Sequence, residues 1–167
     1  MNSNTPDQMI AEIKSRFTPA TGTTLLWYET AELLLDGGTW TPWPDLPIRL
    51  HLDSGKVIAL AWSGFDTLWT ATATSLPFAV EDAPIRWVRN AIPQINGIIG
   101  GKIGAVLLGR GAMSIEGEEI EIWSRLLVQV GDCWLEIYNT LDENGYDYHI
   151  SKPAGIFITC IDRGAAT

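Results

Sequence analysis

From residue 119 to residue 130 the chain alternates without a break. The even positions are Ile120, Ile122, Ser124, Leu126, Val128 and Val130, and the odd ones are Glu119, Glu121, Trp123, Arg125, Leu127 and Gln129. A period of two requires a strand with one dry face, because successive side chains leave a strand on opposite sides. A two-residue turn at Gly131 and Asp132 then pairs Val130 with Cys133, Val128 with Leu135 and Leu126 with Ile137, which keeps the dry face continuous. Asn144-Gly145 is the next hairpin signal. A turn there pairs Leu141 with Tyr148 and Asn139 with Ile150, sets Asp142 across from Asp147, and puts Thr140 across from His149. Reading residues 132–144 instead as a helix, capped by Asp132 and stopped by Gly145, would leave both turn signals and the matched parities as coincidences.

The rest of the chain supports the same class. Thr5 caps a short helix with Pro6 in its first position and Gln8 three residues after the cap, and Met9, Ile10, Ile13 and Phe17 form one apolar stripe. A turn at Asp53, Ser54 and Gly55 sets Leu50 opposite Ile58 and Ile48 opposite Leu60. Residues 81–92 predict a second helix, opened by Asp82 or Ala83 before Pro84 and closed near Pro93. Residues 101–108 and 155–161 read as strands, and residues 23–40 fit either a strand or a helix stopped by Gly37 and Gly38. The sum is one α+β domain over residues 1–167: an antiparallel, meander-rich sheet with one or two short helices packed on it. With 46% hydrophobic and 19% charged residues, folding is expected throughout, with fraying at residues 1–4 and 163–167.

Several chemistries are excluded by spacing. In the glycine-rich run at residues 96–104, Asn96 stands where a phosphate loop needs its first glycine, and Ile103 replaces the hydroxyl that would hold magnesium. Residues 109–114 begin like a dinucleotide fingerprint but end in Ser114 and run into strand. Neither His51 nor His149 has a serine or cysteine neighbour that makes a triad. The apolar stretch at residues 95–109 is broken by glycines and Lys102, so no membrane span is expected. With no apolar leader at the amino terminus, Cys133 and Cys160 read as reduced thiols of a cytoplasmic, bacterial-type protein. No cofactor is implied.

The charge is unevenly placed. Residues 116–147 hold nine acids and one base, −8 of the total −9. In the expected register their wet face collects Glu119, Glu121, Trp123, Arg125, Trp134, Glu136 and Tyr138. Acids around tryptophan, tyrosine and arginine suit a basic protein partner, such as a toxin met by an immunity protein. The plainer reading is a solvated acidic face whose Trp123, Leu127, Trp134 and Tyr138 lie under a packed helix. A different class of function is a small-molecule or divalent-metal site, enzymatic or not, built from Asp142, Asp147 and His149, since opposed like charges across a strand pair are relieved by a cation. Nucleic-acid binding lacks the basic patch it needs.

Overall fold

A computed structural model of the chain describes residues 2–81 and 83–163, and of Met113 the backbone only. It is mostly antiparallel sheet with one short helix. In chain order the elements are β1 (Asn2–Ser3), α1 (Pro6–Phe17), β2 (Leu25–Leu35), β3 (Thr39–Pro42), β4 (Ile48–Leu52), β5 (Val57–Ser63), β6 (Thr67–Ala71) and β7 (Ile85–Arg89). They continue with β8 (Ile103–Ile115), β9 (Glu118–Val130), β10 (Cys133–Asn139), β11 (Asn144–His149) and β12 (Phe157–Ile161). Short 3-10 segments lie at Thr18–Ala20 and Pro93–Ile98. No helix among the described residues is long and apolar enough to cross a membrane.

The strands form two sheets, one of seven strands (β1 to β7) and one of five in the order β11-β10-β9-β8-β12. In the first, Glu29 of β2 pairs with Arg49 on one side and Arg89 on the other, so β7 takes one edge of β2 while β3 and β4 share the opposite one. The inner faces bury one core. Leu50, Ile58, Leu60 and Trp62 come from the first sheet, and Leu108, Leu126, Val128, Leu135 and Ile137 from the second. At one corner the sheets join through Leu25 N–H to Gly101 O (2.8 Å) and Ile103 N–H to Thr23 O (2.9 Å). Helix α1 lays Met9, Ile13 and Phe17 into the opening between β6 and β12. It starts as the sequence predicts: the Thr5 hydroxyl accepts from Gln8 N–H at 3.3 Å, while the Gln8 side chain reaches back to Asn4 N–H at 3.3 Å.

The hairpins at Asp53–Gly55 and Gly131–Asp132 have the expected registers. The Asn144-Gly145 turn does not form. β11 begins at Asn144, opposite Asn139, and the chain reverses at Leu141 and Asp142, with φ of 75° and 66°. Its cause lies in the other sheet. β4 begins at Ile48 opposite Leu60, so β5 beyond Leu60 has no strand on that edge. Asn144 serves there instead: its side-chain oxygen accepts from Trp62 N–H at 2.8 Å, and its Nδ2 donates to Leu60 O at 3.0 Å and to the Tyr146 hydroxyl at 3.0 Å. Trp62 Nε1 donates to Ile137 O at 2.9 Å. Asn139, a polar residue on the expected dry face, donates to Gly64 O, while Asp142 accepts from Gly64 N–H.

Three further expectations change. Residues 85–89 are a strand, not a helix, because the free edge of β2 offers ladder bonds to the alternation Ile85, Trp87, Arg89; the proposed cap Asp82 lies outside the described residues. Residues 23–40 resolve into the β2–β3 hairpin, with Gly37 and Gly38 at its turn. Asn2 and Ser3 do not fray but pair with Trp69 and Leu68, whereas residues 164–167 lie outside the described part.

Replacing Asn144 by Ala removes three bonds at a 4% exposed position and strands Trp62 N–H and Leu60 O. At about 1 kcal/mol per bond, with some added cost for the orphaned groups, the expected loss is about 3 kcal/mol in urea unfolding; a loss below about 1 kcal/mol would show that the tie is dispensable.

Candidate functional site

The expected acidic face divides in two. Gly109 pairs with Arg125 but Arg110 pairs with Trp123, so Ser124 is an extra residue, a β-bulge. Inserting one residue moves every later side chain of a strand to the other face. Trp123 therefore turns inward and packs against the main core, and Glu121 and Glu119 share its face. Ile122 and Ile120 turn outward. Arg125, Leu127, Trp134, Glu136 and Tyr138 keep the outer face that the sequence predicts.

Much of that outer face is closed. β11 and β12 are opposite edges of the five-stranded sheet, so the chain from His149 to Phe157 must cross three strands. Eight residue steps reach about 27 Å extended, against about 19 Å for four strand spacings, which leaves little slack. The crossing is anchored by Arg110 N–H to Ile156 O at 2.9 Å and by Phe157, whose ring sits where a Cβ on Gly109 would come within 2.6 Å. Beneath it Ala105, Leu107, Leu127 and Trp134 make a second small core. The cover over Leu127 and Trp134 is thus an extended strap and Phe157, not a helix.

At the edge of this core stands an ion-paired triad. Arg125 donates to both oxygens of Glu136, Nε at 2.8 Å and Nη2 at 3.1 Å, and His149 Nε2 lies 2.9 Å from Glu136 Oε1. Burial by itself raises the Glu136 pKa, but the hydrogen bonds from Arg125 and His149 outweigh it and hold the carboxyl below its ordinary value. Arg125 rises for the converse reason, its bonds to Glu136. Asp147 lies opposite Glu136.

The proposed metal trio does not assemble as expected. Asp142 belongs to the turn on Gly64, and in its place Glu136 joins Asp147 and His149, with one ligand atom from each within 4.8 Å of the others. Both Glu136 oxygens are held by the Arg125 fork, so a divalent cation there would have to displace a guanidinium. The geometry describes an internal ion-pair network.

Of the seven proposed partner-binding residues, Trp134 and Glu136 are buried, and Trp123, Arg125 and Tyr138 are half-buried. Glu119 and Glu121 remain exposed, and their setting is distinctive. Beyond Gly109 and Arg125 neither β8 nor β9 has another strand beside it, yet the two stay paired to Ile115 and Glu118. Half-buried at its base, where Trp123 packs on the core, the ribbon is exposed from Glu116 to Glu121 and projects from the sheet. It carries Glu116, Glu118, Glu119 and Glu121 against Arg110, which is ion-paired to Glu121. Apart from the ribbon, Asp142 and Glu143 lie in the β10–β11 turn, where burial and these two charges raise the pKa of Asp45 in the β3–β4 loop.

Two features escape the sequence reading. Four tryptophans are stacked by the chain's own arginines: Arg49 over Trp87 at 3.4 Å, Arg89 over Trp27 at 4.0 Å, Arg86 over Trp40 at 4.5 Å and Arg110 over Trp123 at 5.7 Å. His51, far from being isolated, stacks on Trp27 and bonds Glu29 at 2.9 Å. The other feature is a cleft of about 520 Å³ at the mouth of the two sheets, between β2 and β11. Its local signal is the aromatic and proline run Trp40–Pro44, which becomes a wall only when β11 stands opposite. No family model, curated protein or solved structure matches the chain.

The triad sets a pH dependence. A carboxyl with a depressed folded pKa stabilises above its unfolded value and loses that contribution as pH falls through the folded one. Glu136→Gln is therefore expected to cost about 3 kcal/mol at pH 7. The gap from wild type should close progressively below the ordinary glutamate value of 4.5. Urea unfolding from pH 7 to pH 2 measures it, and a gap that stays constant over that range would contradict the assignment.

Proposed function

We propose that this is a binding protein that docks a basic protein partner through the β8–β9 ribbon, in the manner of an immunity protein that covers a cationic toxin. The observation that carries the reading is the ribbon itself: four carboxylates and one arginine, a balance of −3, with no strand beside it on either edge beyond Arg110. Extended ribbons with free edges accept a partner strand, and a one-signed field raises the rate at which an oppositely charged partner arrives. The buried residues Trp134 and Glu136 act indirectly, by holding the sheet from which the ribbon rises. Cys133 and Cys160 are unpaired thiols, and burial pushes the Cys160 thiol up to about 11, which suits a reducing cytoplasm.

The test is a charge-reversed ribbon, Glu118→Lys with Glu119→Lys and Glu121→Lys, compared with wild type as immobilised bait for host extract and then in kinetics with the retained protein. Wild type is expected to retain a basic protein whose association rate falls at least about tenfold between low and 0.5 M salt, roughly the salt dependence of a steered encounter. The variant is expected to lose it. Retention of no basic protein, or a partner indifferent to the reversal, would sink the proposal.

A further inference from the structure

We infer that a cavity on the outer face of the seven-stranded sheet is a binding site for a small methylated ammonium ion of the choline type. Its floor is Ala61 and Ser63 of β5 beside Trp69 of β6, and its walls include Trp43 from the β3–β4 loop and Phe78 from the β6–β7 loop. The space follows from the sheet. β4 begins only at Ile48, opposite Leu60, so β5 at Ala61 and Ser63 has no strand on that edge, and Trp43 and Asp45 border the cavity there instead. The volume of about 310 Å³ lies at the small end of ligand pockets, which selects a compact guest.

The walls choose its chemistry. The chain's own arginines stack on Trp27, Trp40, Trp87 and Trp123, while Trp62 and Trp134 are packed in the two cores. The remaining tryptophans, Trp43 and Trp69, both line this cavity, and no lysine or arginine does. The Trp43 and Phe78 rings meet at 67° with centroids 5.9 Å apart, so they make a corner and not a flat stack. Aromatic walls attract the methyl groups of a quaternary ammonium through the ring quadrupoles and ask for no hydrogen bond in return. Asp45 and Asp142 supply the charge, and neither has an ion pair among the described residues. Asp142 Oδ1 accepts from Gly64 N–H at 2.8 Å, a neutral donor that fixes the carboxylate without cancelling its charge. Burial, with the charges of Glu143 and Asp142, raises the pKa of Asp45, as expected of a carboxylate that lacks a counter-ion. A cation in the cavity supplies one, whereas an anion is repelled. The frame is preformed: Asp142 N–H bonds Gly64 O at 2.9 Å, Trp43 N–H bonds Ala31 O at 2.9 Å, and Trp69 is buried opposite Ala61.

This inference does not depend on the ribbon, and a nuclear magnetic resonance titration of the full, isotopically labelled chain separates the two. Choline is expected to shift the indole N–H signals of Trp43 and Trp69 saturably. Its neutral isostere, with a tert-butyl group in place of trimethylammonium, is expected to bind at least about fivefold more weakly, because it has the shape without the charge. Asp45→Asn and Phe78→Ala lie at positions that are not fully buried, so the fold should survive them. Each is expected to weaken choline at least about threefold, and Asp45→Asn to narrow its advantage over the isostere. The charge-reversed ribbon should bind choline like wild type. The inference is overturned if choline gives no saturable shift, if other tryptophans shift and these two do not, if the isostere binds wild type as tightly, if neither substitution weakens choline, or if reversing the ribbon abolishes binding. The comparison of choline with its isostere on wild type decides the matter even where a variant fails to fold.

Discussion

The side-chain amide of Asn144 holds the two sheets to each other. It lies on β11, in the five-stranded sheet, yet two of its three bonds go to the backbone of β5 in the other, at Trp62 N–H and Leu60 O. Together with Trp62 Nε1 on Ile137 O, these are polar contacts inside an otherwise apolar interface, so they specify position where hydrophobic burial alone would allow sliding. Burying the amide has a cost elsewhere: the chain must reverse at Leu141 with φ of 75°, which disfavours a leucine by about 1–2 kcal/mol. Three buried bonds at about 1 kcal/mol each, and the penalty avoided by not stranding Trp62 N–H, exceed that cost.

The positions around the candidate sites follow from this choice. Because β11 begins at Asn144, His149 and Asp147 fall beside Trp134 and Glu136 instead of at a hairpin tip, and an acid pair expected to repel becomes part of a network held by Arg125. The same register brings Tyr146 and Tyr148 across from β2, which makes the mouth of the sandwich into a cleft. The bulge at Ser124 then separates the ribbon's acids from the triad, so one apparent face of the sequence is two surfaces with different tasks.

Where structure depends on neighbours in sequence, the sequence was legible. The α1 cap, the Asp53–Gly55 turn and the Gly131–Asp132 turn are all local, and their registers agree with the pattern. Residues 85–89 were not legible, because Ile85, Val88 and Ile92 satisfy a helical stripe as well as Ile85 and Trp87 satisfy a strand; the open edge of β2, more than fifty residues away, decides it. The Asn144-Gly145 signal was real but weaker than a distant demand for an amide. Its sidedness survived the error, since moving Asp147 from opposite Asp142 to opposite Glu136 is an even shift and keeps each side chain on its face. For the bulge, the one local sign was Ser124 interrupting an apolar row. Four of the eight tryptophans are occupied within the fold, as the stacking partners of Arg49, Arg86, Arg89 and Arg110.

Since the cleft and the triad both depend on where β11 begins, the register of the β10–β11 pair is the most direct test of the account. Interstrand nuclear Overhauser contacts in the labelled protein report it residue by residue. The structure requires backbone contacts linking Glu136 with Asp147 and Trp134 with His149. Contacts linking Asp142 with Asp147 and Leu141 with Tyr148 would show that the Asn-Gly turn forms after all, and would remove the basis for both sites.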